Sequence, residues 1–383
     1  MSELIYLDYA ATAAVRPPRV AHAVAHYINE IGATPGRGAH RLAVEAGRIA
    51  LRCRQALARL LCIPGDVGRV TFMANATHAL NTALWGCVRR GERIVVTSFD
   101  HNAVLRPAAR LAAERDVEVV LIGGAPDGSL DETALARALP GARLLSINAA
   151  SNVLGTCLDV PRLAARARAA GALSVADLAQ LAGHAPFDAA AAGVDLLAVT
   201  GHKGLLGPQG IGALWVRDGL DLDPLLTGGA GGDSNLRDMP AAFPDHLEAG
   251  TLNGPGIAGL LAGLEFLLEQ GVAAIHAHTM TLKQRLYDGL AAVRGVRMLS
   301  PLAPDGVPIV TIVTDRIDSA TLAARLDREY GVLTRPGLHC APEVHRLLGT
   351  QTTGAVRFSL GYATTEADVD AAVSAVARIL AAA

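Results

Sequence analysis

Residues 194–210 read VDLLAVTGHKGLLGPQG, an apolar run that passes through Thr200, Gly201 and His202 to a lysine, Lys203, fenced by glycines. The run predicts a strand buried on both faces, as in a parallel sheet covered by helices. A lysine is ordinarily found on a solvated face, so one at the end of a buried strand needs a chemical role. The flanking glycines are expected to let the backbone pass close to a ligand. A nucleotide phosphate loop is excluded, because G-x-x-x-x-G-K-[ST] is absent.

Outward from this stretch the pattern repeats. RVTFMA (69–74), ERIVVTS (92–98), VEVVLIG (117–123), RLLSINA (143–149), LSVAD (173–177), DLLAVTG (195–201) and IGALWV (211–216) alternate with Ala/Leu/Arg-rich stretches. Alternation of this kind predicts βα units, hence an α/β fold with a mixed, mostly parallel sheet sandwiched by helices. The last two runs are close enough to form a hairpin, which makes one strand antiparallel. After a glycine-rich segment at 228–254, GPGIAGLLAGLEFLLEQG (254–271) predicts a long helix. Then come a strand VPIVTIVT (307–314), a helix SATLAARLDREYG (319–331) and a final helix EADVDAAVSAVARILAAA (366–383). The expected division is a large domain over 15–255 and a smaller α+β domain over 256–383 that also takes in 1–14.

With 51% hydrophobic residues and a formal net charge of −2, the 383-residue chain can bury a large core and offers no case for nucleic acid or an anionic membrane. No apolar run reaches the roughly 20 residues of a bilayer span. The segment MSELIYLDYAATAAV lacks the basic and apolar regions of a secretory signal, so a cytoplasmic location is expected. Cys53, Cys62, Cys87, Cys157 and Cys340 form no C-x-x-C pair, which argues for reduced thiols against a disulfide framework or a structural zinc. No metal site is expected: His339, Cys340 and His345 make an incomplete ligand set. Four of the cysteines read as small hydrophobes.

Several strand ends carry polar residues. NATHALN (75–81) places Thr77 and free amides at a helix start, where a phosphate can bind and where Thr77 or Asn75 can equally be a cap. DHNAVLRP (100–107) supplies His101, SNVLGT (151–156) supplies Asn152, and ADLAQLAGH (176–184) supplies Asp177 and Gln180. A carboxylate closing a buried strand needs a cationic partner. Together these put an acid, an amine, an imidazole and a phosphate cradle at one edge of one sheet. That set suits pyridoxal phosphate, which needs a lysine for its aldehyde, a carboxylate for its ring nitrogen and an anion site.

The order YLDYAATA, GRGAH, NATHALN, DHNAVLRP, SNVLGT, ADLAQLAGH, TGHKGLLGPQGIG, EAGTLN, RPGLHCAP and VRFSLGY resembles the fold-type I pyridoxal-phosphate enzymes of the class V aminotransferase group. Within it the chain resembles the cysteine desulfurases and selenocysteine lyases, and RPGLHC (335–340) is similar to the R-x-G-x-H-C pattern of their second group. The resemblance implies that Lys203 holds the cofactor, Asp177 pairs with the pyridine nitrogen and Gln180 contacts the phenolic oxygen. It implies that His101 stacks on the ring, serving also as acid/base, and that Thr77, Thr200 and His202 bind the phosphate. Thr251 would reach the neighbouring subunit's phosphate, making a homodimer. Asn152 would lie near substrate and ring, and Arg357 would take the substrate α-carboxylate, with His40 and Arg335 also on the substrate side.

Cys340 would then accept sulfur from L-cysteine as a persulfide, leaving alanine, for onward transfer to an acceptor protein. A selenocysteine lyase, another lyase or epimerase of the group, and a non-catalytic scaffold are the competing readings. His78 and Asp100 stand where many relatives carry glutamate, and Ala363 where asparagine is common.

Overall fold

The computed structural model describes residues 4–36, 38–230 and 235–382. Seven strands build the main sheet: β2 (Val70–Met73), β3 (Arg93–Thr97), β4 (Glu118–Ile122), β5 (Ala142–Asn148), β6 (Leu173–Asp177), β7 (Leu196–Thr200) and β8 (Gly212–Val216). Their order is β2-β8-β7-β6-β5-β3-β4. Only β8 runs against its neighbours, pairing antiparallel with both β2 and β7, so the expected hairpin is present and the other six strands share one direction. Their carboxyl ends therefore lie along one edge.

Side chains along each strand alternate between two apolar layers. Leu197 and Val199 join Phe72, Leu145, Ile147 and Trp215 in one, whereas Leu196 and Ala198 join Val96, Leu144, Val175 and Leu214 in the other. Coverage of both faces explains why these strands read as continuous apolar runs. The covering helices are α1 (Pro18–His26), α2 (Arg41–Leu60), α3 (Ala76–Cys87), α4 (Asn102–Arg115), α5 (Glu132–Ala138), α6 (Val160–Ala169), the short α7 (Ala189–Ala192) and α8 (Gly254–Gln270). Packing of α8 against α1 and α2 places it with the main sheet's layers.

Gly271, at φ +80°, ends α8, and the chain turns by 80° into α9 (Val272–Ala291). Among the described residues no single helix is long and apolar enough to cross a membrane. Beyond α9 lie β9 (Val296–Met298), β10 (Ile309–Thr314), α10 (Ser319–Tyr330), β11 (Val332–Leu333), β12 (Arg335–Gly337), α11 (Pro342–Leu347), β13 (Ala355–Ser359) and α12 (Glu366–Ala381). An antiparallel sheet forms in the order β12-β13-β10-β9. The N-terminal β1 (Ile5–Tyr6) pairs parallel with β11. Leu7 then enters the core beneath this second sheet, while Tyr9, Ala10 and Ala13 enter that of the main one.

The glycines around Lys203 have a reason different from the expected approach to a ligand. A Cβ on Gly204 would sit 2.3 Å from the Ala182 carbonyl oxygen, and one on Gly183, itself at φ +80°, would sit 2.1 Å from the Gly204 oxygen. Two loops, one following β6 and one following β7, press backbone to backbone at these residues. The contact brings Asp177 and Lys203 to a common place. Gly204→Ala is expected to lower stability by about 3 kcal/mol, since the obstruction is main chain and cannot rotate away. Gly123→Ala, where a Cβ meets nothing, is expected to stay within about 0.5 kcal/mol. Chemical denaturation of the two variants checks this, and equal midpoints would contradict the close-packing account.

Candidate active site

The carboxyl edge of the main sheet opens into a cleft of about 260 Å³. Lys203, Asp177, Gln180, Thr200, His202, Thr77, His101, Asn152, Arg335 and Arg357 all line it. Ten residues spread over 281 positions of chain thus meet at one place, most delivered by a strand end or the loop after it, Thr77 by the first turn of α3 and Arg357 from within β13. His40, Thr251 and Cys340 do not line the cleft.

Lys203 and Lys283 are the two lysines of the whole sequence. Burial pushes the Lys203 ammonium down to about 8; Asp177 opposes the shift, while Arg357 and Arg335 add to it. An amine so placed is neutral in a usable fraction near neutral pH. Asp177, 5% exposed at the end of β6, accepts a hydrogen bond from Ala179 N–H at 2.9 Å. Burial raises its pKa, against the pull of that N–H and of Lys203. Its carboxylate calls for a further positive partner within the cleft.

Asn75 is the cap of α3: its side chain accepts from His78 N–H at 2.9 Å. Thr77 is thereby free of capping and faces the cleft beside the first-turn amides of Ala76 and Thr77, which have no acceptor within the helix. Across from them, Thr200 Oγ1 and His202 Nδ1 are buried without a hydrogen-bond partner. Helix dipole, free amides and unpartnered donors together suit an anion such as a phosphate ester.

His101 caps α4, its Nδ1 accepting from Ala103 N–H at 3.0 Å. Burial, with Lys203 and Arg335 beside it, pushes the imidazole down to about 4. The ring is therefore neutral, with its proton on Nε2. Asp100, fully buried, orients this turn by accepting from Thr97 N–H at 2.7 Å and Ser146 O–H at 2.8 Å.

Arg357, 1% exposed in β13, donates from Nη2 to Asp8 Oδ1 at 2.8 Å and from Nη1 to the Asn152 carbonyl at 3.1 Å. Its Nε is buried and unpartnered, as is Asn152 Oδ1. Gln180 donates to the Ala10 carbonyl at 3.0 Å. Asn148 also lines the cleft, its amide donating to the Phe99 carbonyl at 2.5 Å. Asp8 and Asn148 were not read in the sequence as part of the site, although Asn148 ends a buried strand as Asp177 does.

Cys340 is exposed at the rim, in the turn 338–341 that Ala341 N–H closes onto the Leu338 carbonyl at 3.0 Å. Its two central residues, His339 at φ +52° and Cys340 at φ +58°, are left-handed, which costs roughly 1 kcal/mol or more for each non-glycine residue. The Cys340 carbonyl accepts from Asn102 N–H at 2.9 Å, next to His101, and Arg335 Nη2 lies 3.9 Å from Sγ. Of the remaining cysteines, Cys53 and Cys87 are buried and Cys157 is half-buried, whereas Cys62 is exposed at the end of α2.

His40 caps α2, accepting from Ala43 N–H at 3.3 Å on an exposed surface. Thr251 is also exposed. Its segment is anchored three residues earlier, where Glu248 forms a buried two-pronged ion pair with Arg54 at 2.8 and 2.9 Å and accepts from Phe72 N–H.

The model of the aminotransferase class-V family matches residues 5–372. The chain belongs to the class-V aminotransferase family. It is 32% identical to a probable cysteine desulfurase of Methanothermobacter thermautotrophicus, over 95% of this chain and 92% of that one. It is 34% identical to a probable cysteine desulfurase of Pseudomonas putida, over 93% and 88%. The apo structure of a cysteine desulfurase from Thermococcus onnurineus superposes with a TM-score of 0.92 at 29% identity, covering 99% of this chain and 95% of that one. The Escherichia coli cysteine desulfurase CsdA superposes with a TM-score of 0.89 at 29% identity, with the same coverage. A class-V fold thus frames the cleft and the Cys340 turn together.

Reductive methylation of the cofactor-free protein is expected to modify Lys203 at a rate that rises with pH and levels off above about 8, because only the neutral amine reacts. Peptide mass spectrometry follows the reaction; a rise continuing to pH 10.5, the ordinary lysine value, would contradict the desolvated setting. Since the native amine gives up its proton before the unfolded one does, Lys203 adds stability progressively between these two pH values.

Proposed function

We propose that this chain is a pyridoxal-phosphate-dependent cysteine desulfurase that converts L-cysteine to L-alanine and carries the sulfur as a persulfide on Cys340. The observation that carries the reading is the fixed position of the Cys340 turn: Asn102 N–H holds its carbonyl beside the His101 cap, at the rim of the cleft that contains Lys203. Family membership and the named relatives support it.

The residues present fit the cofactor. Lys203 offers its amine to the aldehyde, and Asp177 lacks the positive partner that a protonated ring nitrogen supplies. The first turn of α3, with Thr77, Thr200 and His202, would hold the phosphate. His101 would cover the ring face, and Gln180 and Asn152 would meet the phenolic oxygen. When bound, pyridoxal phosphate supplies an electron sink for charge developing next to the substrate Cα.

The chain's own groups do the rest. Arg357, oriented by Asp8, and Arg335 bind the substrate carboxylate, for which guanidinium groups are suited. Lys203 Nζ removes the Cα proton, a role that a pKa of about 8 allows near neutral pH. The Cys340 thiolate then attacks the substrate Sγ. A sulfur–sulfur bond forms as Cβ–Sγ breaks, and the electron pair left on carbon takes up a proton to give alanine. His101, holding its proton at Nε2, is the neutral donor beside this exchange. Exposure of Cys340 leaves the persulfide reachable by an acceptor protein or a thiol.

The reading includes a homodimer, in which Thr251 completes the partner's phosphate site. Val44 and Leu51, seven residues apart on α2 and both exposed, offer an apolar face for the second copy.

With L-cysteine and a reductant, the loaded protein is expected to release alanine and sulfide in equal amounts. Cys340→Ala is expected to lose at least about 100-fold in both while keeping its cofactor absorbance. Undiminished turnover in that variant would refute the acceptor role. Alanine from L-selenocysteine alone would make the chain a selenocysteine lyase.

A further inference from the structure

The strained turn that carries Cys340 is clamped from behind by a buried relay of side chains. His339, 3% exposed, places Nε2 at 3.0 Å from the Arg335 carbonyl oxygen, which can only accept, so this nitrogen carries the proton. Its Nδ1 must then accept, and it lies 3.2 Å from Nε2 of His345, which is fully buried on α11. That assignment leaves His345 Nδ1 as an acceptor, met at 2.8 Å by the hydroxyl of buried Thr350. The ring protons each have one place, and the Thr350 hydroxyl, whose other acceptor is the His345 carbonyl at 3.5 Å, meets the nearer Nδ1. The two rings meet edge to edge, with centroids 5.4 Å apart and planes 28° from parallel. The His339 carbonyl, meanwhile, accepts from Asn152 Nδ2 at 2.5 Å in the cleft wall.

A left-handed conformation at two successive non-glycine residues persists only where the surroundings over-determine it. Here ring, carbonyl and neighbour are each tied to a different element: His339 to β12 and α11, its carbonyl to the loop after β5, and the Cys340 carbonyl to α4. The Cys340 side chain, between these tied groups, is left exposed. We propose that His345 and Thr350, acting through His339, are positioning residues that hold the turn 338–341 in the conformation presenting the Cys340 thiol to the cleft mouth. The inference rests on the acceptor role proposed above for Cys340. Neither histidine needs to touch substrate for this.

The test uses the full chain loaded with pyridoxal phosphate, with His345→Ala, His345→Gln and Thr350→Val. Two quantities are read: the rate of iodoacetamide alkylation at Cys340, followed on its own peptide because Cys62 is also exposed, and the kinetics of alanine formation from L-cysteine. His345→Ala is expected to change the alkylation rate at least about threefold and to lower kcat about tenfold with KM within about twofold, as loss of a geometry needed in the reaction but not in substrate binding. His345→Gln, whose amide can donate to His339 and accept from Thr350, is expected to restore both. An unchanged alkylation rate or an unchanged kcat in folded His345→Ala overturns the inference. If that variant does not fold, Thr350→Val, which removes one hydroxyl, decides by the same two readouts. Cys340→Ala, run beside them, separates the two claims: full alanine formation there refutes the acceptor role, while the alkylation rates still judge the clamp.

Discussion

A carboxylate and an amine are kept from water beyond the ends of two adjacent parallel strands, and the other parts of the cleft are arranged around them. Asp177 closes β6 and Lys203 follows β7, and the backbone contact of Gly183 with Gly204 fixes the distance between their loops. Both groups pay for burial in their protonation: the amine is pushed toward neutrality and the acid toward protonation. Neither shift serves stability. Both are the expected signature of a site prepared for a ligand that brings a positive ring nitrogen and an aldehyde.

The second sheet contributes Arg335, from the start of β12, and one fully buried side chain. Arg357 projects from β13 into a cleft built by the main sheet, and its partners come from elsewhere: Asp8 follows β1, and the Asn152 carbonyl belongs to the loop after β5. A guanidinium 1% exposed is held only where its fork is well bonded. Because Asp8 bridges in parallel to Ser359 of β13, the segment carrying it is itself anchored to the second sheet. The placing of Arg357 in the cleft and the joining of the two sheets thus depend on the same few contacts, and the Cys340 turn is carried by β12 on the same sheet.

The sheet, the hairpin of β7 with β8 and most of the cleft were legible in the sequence because they depend on local pattern: apolar runs, turn residues, and a polar residue at each strand end. What escaped the sequence depends on contacts between distant segments. Thr77 and Asn75 were equal candidates for the cap of α3, and only the geometry shows Asn75 capping and Thr77 free. Gly204 reads as room for a ligand but is room for the Ala182 carbonyl. Asp8 meets Arg357 across 349 residues, and Arg54 meets Glu248 across 194, separations that no periodicity records. His339 and His345 were weighed as metal ligands and set aside, but the bond between their facing nitrogens was not read. His40 and Thr251 were drawn from resemblance, and both lie outside the cleft.

The central claim is that sulfur leaves the substrate by way of Cys340. The most direct measurement is a single turnover without reductant: the loaded protein is mixed with less than one equivalent of L-cysteine, quenched, and its five cysteine peptides weighed. The account predicts one added sulfur on the Cys340 peptide, in an amount equal to the alanine formed. Alanine without added sulfur there, or sulfur found on Cys62 instead, would contradict it.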